Sequence, residues 1–275
     1  MTSVVDRGPA GDGTDILVRH WAAVDAWATV LLVHGLGEHS GRYEHVGAQM
    51  ATAGLDVHAY DQRGNGGSSG PRGHVERWSH LQEDLAGRLL DVRAASKRGP
   101  LVLYGHSLGG LLVLGYLLTE RPKPDLAVLS APGLDSTLPG WKKALAPILG
   151  KIAPTLRIPN GVDGRTLSRD ASVASKLAAD PDAVNSSSAR FGAESFAEQA
   201  RVRRDYASLT IPTLVIHGLD DGLVPETASV ALGTLPYVER RTYPGLRHEL
   251  HNEPEGPVVI AQVIDWIRDR ARIQP

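Results

Sequence analysis

Residues 101–119 read LVLYGHSLGGLLVLGYLLT, a stretch without Asp, Glu, Lys or Arg. Its length approaches the roughly 20 apolar residues that a bilayer-spanning helix needs. Glycine, histidine and serine interrupt it at 105–107, 109, 110 and 115, however, so a single apolar helix is a poor interpretation. The pattern instead predicts a buried strand over 101–104, a tight turn, and a buried helix over 108–119.

The turn carries a G-x-S-x-G motif made of Gly105, Ser107 and Gly109. A serine in a sharp strand-to-helix turn is exposed as a nucleophile, and glycines on either side avoid collisions with neighbouring backbone. The helix that follows directs its free N–H groups and positive dipole end towards the same point. The strand and helix context therefore favours a nucleophilic Ser107 over a glycine-rich turn with an idle serine.

Outward from this motif, short apolar runs alternate with helical patterns. The predicted strands span 16–21, 29–34, 55–60, 101–104, 126–130, 213–217 and 238–243. The predicted helices span 43–53, 78–96, 108–119, 226–233 and 255–272. Repeated β-α-β order with nearly all-apolar strands predicts a doubly wound α/β fold with a mostly parallel sheet.

The alternation stops between 134 and 208, where five prolines punctuate short helical pieces and no strand is predicted. Because structureless loops of this length are rare in compact domains, we interpret 134–208 as a helical cap, or lid. The cap is inserted into a core made of 1–133 and 209–275. Within it, an apolar helical face lies beside three lysines, at Leu138, Trp141, Leu145, Ile148, Leu149 and Ile152. This face predicts either peripheral contact with a membrane or micelle, or packing over the site.

A serine nucleophile needs a base to take its proton and a carboxylate to orient that base. The strand over 213–217 leads into a loop with Asp220 and Asp221, and position alone does not separate them. His248 and His251 share one short loop between the last strand and the last helix. Position therefore leaves two candidate acids and two candidate bases.

From about residue 30 to 267 the chain resembles the α/β-hydrolase family, and within it the monoacylglycerol lipases with their lysophospholipase and serine-aminopeptidase-like relatives. The resemblance rests on four pieces in order: HGLGEHSGRY at 34–43, GHSLGG at 105–110, HGLDDGLVP at 217–225 and HELHNEPE at 248–255. It implies an α/β-hydrolase fold and a serine hydrolase that forms an acyl-enzyme intermediate. The implied substrate is a monoacylglycerol, or a similar single-chain lipid ester, cleaved to glycerol and fatty acid.

Carried over position by position, the family patterns imply a catalytic triad of Ser107, Asp221 and His248. They also imply an oxyanion hole formed by the backbone N–H groups of Leu36 and Leu108. Around the glycerol head group the resemblance implies three further side chains: Glu38, Arg42 and His251. An alternative for Glu38 and Arg42 is that they only tie down their loop.

One departure from the family pattern is Asn65, in the turn DQRGNGGS at 61–68, where histidine is usual. This turn supports the sheet, so the substitution concerns loop packing and not the chemistry. An esterase, lysophospholipase, thioesterase or peptidase with the same triad is the alternative function, because the fold and the triad do not fix the acyl substrate.

Other classes fit the sequence less well. Gly35 and Gly37 imitate part of a dinucleotide-binding fingerprint, but Ser40 replaces its third glycine. The eleven histidines form no H-E-x-x-H motif, so we expect neither a catalytic metal nor a cofactor. A non-catalytic protein of this fold would be expected to lack a triad member, and none is missing.

Composition narrows the range of partners and locations. The 275 residues carry a net charge of −2, which offers no basic footprint for nucleic acid. The chain contains no cysteine, so disulfides and cysteine nucleophiles are excluded. Residues 1–15 are polar and do not resemble a secretory signal, which predicts a cytoplasmic location. The sequence leaves the oligomeric state open.

Overall fold

The computed structural model describes residues 2–96 and 98–272, and its centre is a mostly parallel β-sheet. The strands are β1 Val4–Pro9, β2 Asp15–Trp21, β3 Ala28–Val33, β4 Leu55–Tyr60, β5 Leu101–His106, β6 Leu126–Ser130, β7 Arg157–Pro159, β8 Ser186–Ser188, β9 Thr213–Gly218 and β10 Val238–Tyr243. Eight of them form the sheet in the order β1-β2-β4-β3-β5-β6-β9-β10. β1 and β2 are antiparallel to their neighbours, and the other six run parallel.

Helices cover both faces of this sheet. They are α1 Glu44–Thr52, α2 Trp78–Ala95, α3 Leu108–Leu117, α4 Gly140–Ile152, α5 Gly164–Leu167, α6 Ala171–Ala179, α7 Ala189–Asp205 and α8 Gly256–Ala271. One buried cluster joins the sheet to α2 and α3, and a second joins its other face to α1 and α8. The predicted doubly wound α/β fold is confirmed, and within the described residues no helix is both apolar and long enough to cross a bilayer.

Parallel strands bring the loops that carry chemistry to one edge of the sheet. Ser107 follows β5, Asp221 follows β9 and His248 follows β10. Because the carboxyl ends of parallel strands face the same way, these three loops converge although 141 residues separate the first from the last.

Three parts of the structure differ from the sequence predictions. β7 and β8 pair with each other within 134–208. The sequence did not predict these strands, because each has only three residues. The predicted helix over 226–233 is wrong: two short 3₁₀ turns, Glu226–Ser229 and Leu232–Thr234, occupy this segment. β1 was not predicted, because its side chains are mostly exposed and lack an alternating apolar pattern.

The turn that contains Asn65 fastens the sheet to the loop after β3. Asp61 accepts hydrogen bonds from the backbone N–H and hydroxyl of Ser40, at 2.8 and 2.6 Å. Ser68 donates to the Asp61 carbonyl at 2.6 Å. Asn65 donates to the carbonyl of Arg63 at 3.1 Å and is nearly buried, so it closes the turn locally.

Two glycines in helices give a test of packing on the α1 face. A Cβ atom on Gly47, in α1, would lie 2.3 Å from the buried ring of Trp21, whereas nothing lies within 4 Å of the corresponding position at Gly87, in α2. We expect Gly87→Ala to raise the free energy of unfolding by about 0.5–1 kcal/mol through helix propensity. Gly47→Ala should lower it by roughly 1–2 kcal/mol, because the overpacking exceeds that gain. Urea denaturation, monitored by circular dichroism, measures the free energy of unfolding of both variants. Equal changes in the two variants would contradict the prediction that Gly47 is packed against Trp21.

Candidate active site

Ser107 occupies a sharp backbone turn between β5 and α3. Its φ of 53° and ψ of −118° are unusual for a residue other than glycine. A Cβ atom at Gly109 would lie 2.3 Å from the carbonyl oxygen of Val33, so only glycine allows α3 to approach β3 this closely. The predicted strand-turn-helix arrangement of the motif is therefore present, with the serine at the start of α3.

The three predicted triad side chains form one hydrogen-bonded series. Nε2 of His248 lies 2.9 Å from Oγ of Ser107, and Nδ1 of His248 lies 2.7 Å from Oδ2 of Asp221. A carboxylate can only accept, so Nδ1 carries the hydrogen and Nε2 is free to accept from the serine hydroxyl. Asp220 is exposed and takes no part in the series, so the structure separates the two acids that position alone left open.

Asp221 is held by four donors. Its Oδ1 accepts from the backbone N–H groups of Leu223 and Val224, both at 2.9 Å. Its Oδ2 accepts from Nε2 of His217 at 3.2 Å as well as from His248. Burial alone would raise the pKa of Asp221, but the donors from His217 and His248 hold that pKa far below its ordinary value. Asp221 is therefore ionised when it faces His248.

The protonation of His248 reflects several opposing effects. Burial disfavours the charged imidazole, but the hydrogen bond and charge of Asp221, together with the charges of Glu249 and Glu38, outweigh burial and raise the pKa of His248. The neighbouring ring of His106, 4.9 Å away between centroids, is fully buried. Burial, with a smaller effect of His248, lowers the pKa of His106 to about 3, so His106 stays neutral.

The loop after β3 passes directly beside the nucleophile. A Cβ atom at Gly35 would lie 3.1 Å from Cβ of Ser107, which brings the next residue, Leu36, to the serine. Leu108 is the first residue of α3, and its N–H therefore has no acceptor within the helix. The two predicted oxyanion-hole residues thus flank Ser107 on separate elements.

Glu38 and Arg42 form a buried network that sequence reasoning did not anticipate in full. One oxygen of Glu38 accepts from the N–H of Gly35 at 2.5 Å and from the hydroxyl of Tyr43 at 2.7 Å. Arg42 bridges the other oxygen of Glu38, at 3.0 Å, and a carboxylate oxygen of Glu249, at 2.8 Å. The network ties the loop that carries Leu36 to the loop that carries His248, and its geometry agrees with the alternative in which Glu38 and Arg42 hold their loop.

His251 is buried close to the triad, and neither of its ring nitrogens has a hydrogen-bond partner among the residues that the structure describes. Its ring lies between Tyr43 and His106, with centroids 4.8 and 5.0 Å away. Burial lowers the pKa of His251 well below its ordinary value, and nearby His106, His45 and Arg42 add to the effect. A neutral ring of this kind offers one donor and one acceptor to a bound molecule.

Two functional residues were missed because the sequence does not show which way they face. His217 lies four residues before Asp221 in the pattern HGLDD, and Glu249 directly follows His248. Their burial and contacts with Asp221 and Arg42 depend on how the three loops meet. An acidic residue next to a candidate catalytic histidine is the one sequence signal that was available.

A serine, a histidine and an ionised carboxylate, joined in this order at the carboxyl edge of a doubly wound sheet, define a serine hydrolase of the α/β-hydrolase class. The family model described as serine aminopeptidase, S33, matches residues 25–255. The chain therefore belongs to this family.

Curated relatives and solved structures agree with this membership. A monoacylglycerol lipase of Mycolicibacterium smegmatis is 36% identical over 271 residues, covering 93% of both chains, and human monoglyceride lipase is 28% identical over 94% of this chain and 88% of its own. An uncharacterized abhydrolase domain-containing protein of Dictyostelium discoideum is 32% identical over 98% of this chain, which spans only 29% of that protein. The crystal structure of a Paleococcus ferrophilus monoacylglycerol lipase superimposes with a TM-score of 0.81 at 29% identity, covering 98% of this chain and all of that one.

The negative charge of Glu249, next to His248, leads to a prediction about the pH dependence of hydrolysis. Hydrolysis needs neutral His248 as the base, so we expect kcat/KM to fall on the acid side with a midpoint above the ordinary pKa of a histidine side chain. Glu249→Gln removes a negative charge that favours the imidazolium, so it should lower that midpoint by roughly 0.5–1 pH unit. Rates of hydrolysis of a soluble p-nitrophenyl ester between pH 5 and 8 measure the midpoint for wild type and variant. Exposed Glu255→Gln is the control, and an acid limb that Glu249→Gln leaves unmoved would refute the assignment.

Proposed function

We propose that this protein hydrolyses the ester bond of monoacylglycerols through an acyl-enzyme intermediate. The observation that carries the proposal is the hydrogen-bonded series from Ser107 through His248 to Asp221, next to the N–H of Leu108. The substrate class rests on the relatives that are named monoacylglycerol and monoglyceride lipases.

The first half-reaction acylates Ser107. His248 Nε2 accepts the hydroxyl proton while Oγ attacks the ester carbonyl, and the carbonyl oxygen becomes an oxyanion. The N–H groups of Leu36 and Leu108 stabilise that oxyanion, each typically by roughly 3–4 kcal/mol. His248 then gives its proton to the departing glycerol oxygen as the C–O bond breaks, and glycerol leaves.

The second half-reaction releases the fatty acid. Water gives a proton to His248 and attacks the acyl carbon, and the tetrahedral intermediate forms in the same oxyanion hole. When the bond to Ser107 breaks, His248 returns the proton to Oγ. Throughout, Asp221 orients the imidazole and stabilises it while it is charged.

For the glycerol head group we assign His251 the direct role. Its two buried ring nitrogens are without partners in the described part of the chain, and burying a polar atom without a hydrogen bond costs free energy. Glycerol hydroxyls would satisfy both. Glu38 and Arg42 act indirectly, because the Gly35 N–H, Tyr43 and Glu249 already occupy them.

Residues 134–208 are proposed to form a cap on a core made of 1–133 and 209–275. Two hydrogen bonds join this segment to the core near the active site: the N–H of Val184 donates to the carbonyl of Gly37 at 2.8 Å, and the N–H of Glu249 donates to the carbonyl of Leu167 at 2.8 Å. The inserted segment thus contacts both the loop beside the nucleophile and the loop of the catalytic histidine.

The cap is also proposed to make peripheral contact with a membrane or micelle. On α4, Trp141 and Ile148 are 64% and 54% exposed, and three lysines lie on the same helix. Exposed apolar side chains beside basic residues suit the interface of a lipid aggregate, where a single-chain lipid ester resides. Such contact is compatible with a cytoplasmic location, which stays a prediction from the sequence.

The central experiment compares wild type with Ser107→Ala on a panel of esters. The variant should lose hydrolysis by several orders of magnitude and keep its circular dichroism spectrum, because triad members act as a unit. Wild type should prefer monoacylglycerol over the methyl ester of the same acid. More than a few per cent residual turnover in Ser107→Ala would refute the assignment of Ser107 as the nucleophile. A wild-type preference for a thioester or a peptide would show that monoacylglycerol is not the substrate class.

The role of His251 is tested with His251→Phe, which keeps an aromatic ring between Tyr43 and His106 but removes both nitrogens. We expect the preference for monoacylglycerol over methyl ester, taken as the ratio of kcat/KM values, to fall by roughly five- to tenfold, as one lost hydrogen bond would cause. His80→Phe, on α2, is the control and should leave the ratio unchanged. An unchanged ratio in His251→Phe would mean that the head group binds elsewhere.

The exposed face of α4 is tested by the double variant Trp141→Asp/Ile148→Asp. It should lose more activity on a long-chain micellar substrate than on a short soluble ester, because charge opposes insertion into the lipid interface. Val230→Asp/Val258→Asp, which changes two exposed valines outside the cap, is the matched control. Equal losses of activity on the micellar and the soluble substrate would refute the proposal that α4 contacts a membrane or micelle.

A further inference from the structure

A second cluster of chemically capable side chains lies on the sheet, away from the active site. His20 on β2 and His58 on β4 are directly opposite each other in the antiparallel ladder. Asp56 lies two residues before His58 on the same strand, and side chains two apart on a strand project from the same face. Strand register alone therefore brings two imidazoles and a carboxylate together.

These groups lie close enough together for one small cation to bind all three after small side-chain movements. Nε2 of His20 lies 2.9 Å from Oδ1 of Asp56, and Nε2 of His58 lies 2.9 Å from Oδ2. One ligand atom from each residue falls within 4.8 Å of the other two. Ligands bonded to a metal at about 2.0–2.2 Å, with bond angles between octahedral and tetrahedral, are roughly 2.8–3.6 Å apart.

We propose that His20, Asp56 and His58 bind a divalent transition-metal ion such as Zn²⁺. Two imidazole nitrogens and a carboxylate oxygen are ligands that such ions prefer, and water can complete the coordination. The side chains are 38%, 22% and 19% exposed, so an ion can reach them from solvent.

Binding requires a local rearrangement. The two rings are stacked, 4.2 Å apart and 10° from parallel, with both Nε2 atoms directed at the carboxylate. A neutral imidazole coordinates through a lone pair in its own plane, so the hydrogen moves to Nδ1 and each ring turns about its Cβ–Cγ bond. That torsion is broad and soft for histidine. No change in the strands is needed.

The site is structural and not catalytic. Asp56 pairs with Thr29, and Thr29 pairs with Leu101, six residues before Ser107, which places the cluster roughly 20 Å from the nucleophile along the strands. An ion bound here would join β2 to β4, at the junction between the antiparallel hairpin β1-β2 and the parallel strands. Because it binds the folded state, it would stabilise the protein.

The experiment titrates Zn²⁺ into metal-free full-length protein by isothermal calorimetry and records Tm with and without the ion. We expect one ion per chain with a micromolar Kd and a rise in Tm of about 5 °C at saturation. His20→Gln, Asp56→Asn and His58→Gln should each weaken binding at least tenfold and abolish most of the rise.

The control variant is Asp180→Asn, which alters the other cluster of potential ligands in the described residues, His39, Asp180 and Asp182. It should bind Zn²⁺ as wild type does. Absence of binding to wild type, or unchanged binding to the three variants of the proposed site, would overturn the proposal. If a variant misfolds, protection of His20 and His58 from diethyl pyrocarbonate by Zn²⁺ in wild type, read by mass spectrometry, tests the same site, and unchanged modification overturns it.

Discussion

The backbone of Ser107 is the constraint on which the rest of the active site depends. A residue other than glycine held at φ 53° costs roughly 1–3 kcal/mol and persists only where its surroundings enforce it. Here the N–H of Ser107 donates to the carbonyl of Ser130 at 2.9 Å, and its own carbonyl accepts from Gly133 at 2.8 Å. Ser130 is the last residue of β6, and Gly133 lies in the loop that follows it. The adjacent parallel strand and the loop after it thus hold the backbone of Ser107 in this conformation without any contribution from the side chains of Asp221 and His248.

Ion pairs and charged hydrogen bonds then hold together the three loops that carry Glu38, Asp221 and His248. Asp221, Glu249 and Glu38 supply three negative charges around His248, and Arg42 offsets one of them while it joins two of the loops. The remaining field favours a positive imidazole, which is the form that exists when the oxyanion is present. A buried ion pair is poor support for stability in general, but here it fixes the position of the loop that carries His248 relative to the loop that carries Leu36.

The sequence predicted most of the sheet because its parallel strands are continuous apolar runs, and each predicted strand is present within two residues of its expected bounds. It predicted the strand-turn-helix arrangement around Ser107 because these three elements are contiguous in the chain. It did not separate Asp221 from Asp220 by position, since neighbours in a loop differ only in direction. Glu249 and His217 were missed for the same reason, and β7-β8 because three residues carry no periodicity.

The hydrogen bond from Val184 to the Gly37 carbonyl connects the proposed cap to the loop that carries Leu36. An opening of the proposed cap that lifts Val184 away would break this bond and free the loop whose N–H is proposed to meet the oxyanion at a fixed distance. An enzyme opened along this path would admit lipid but lack a stabilised transition state, and a closed one would have both groups in place. If the proposed cap opens along this path, entry and chemistry alternate in time, and the concentration of lipid at the entrance and the frequency of closure jointly set the rate of turnover.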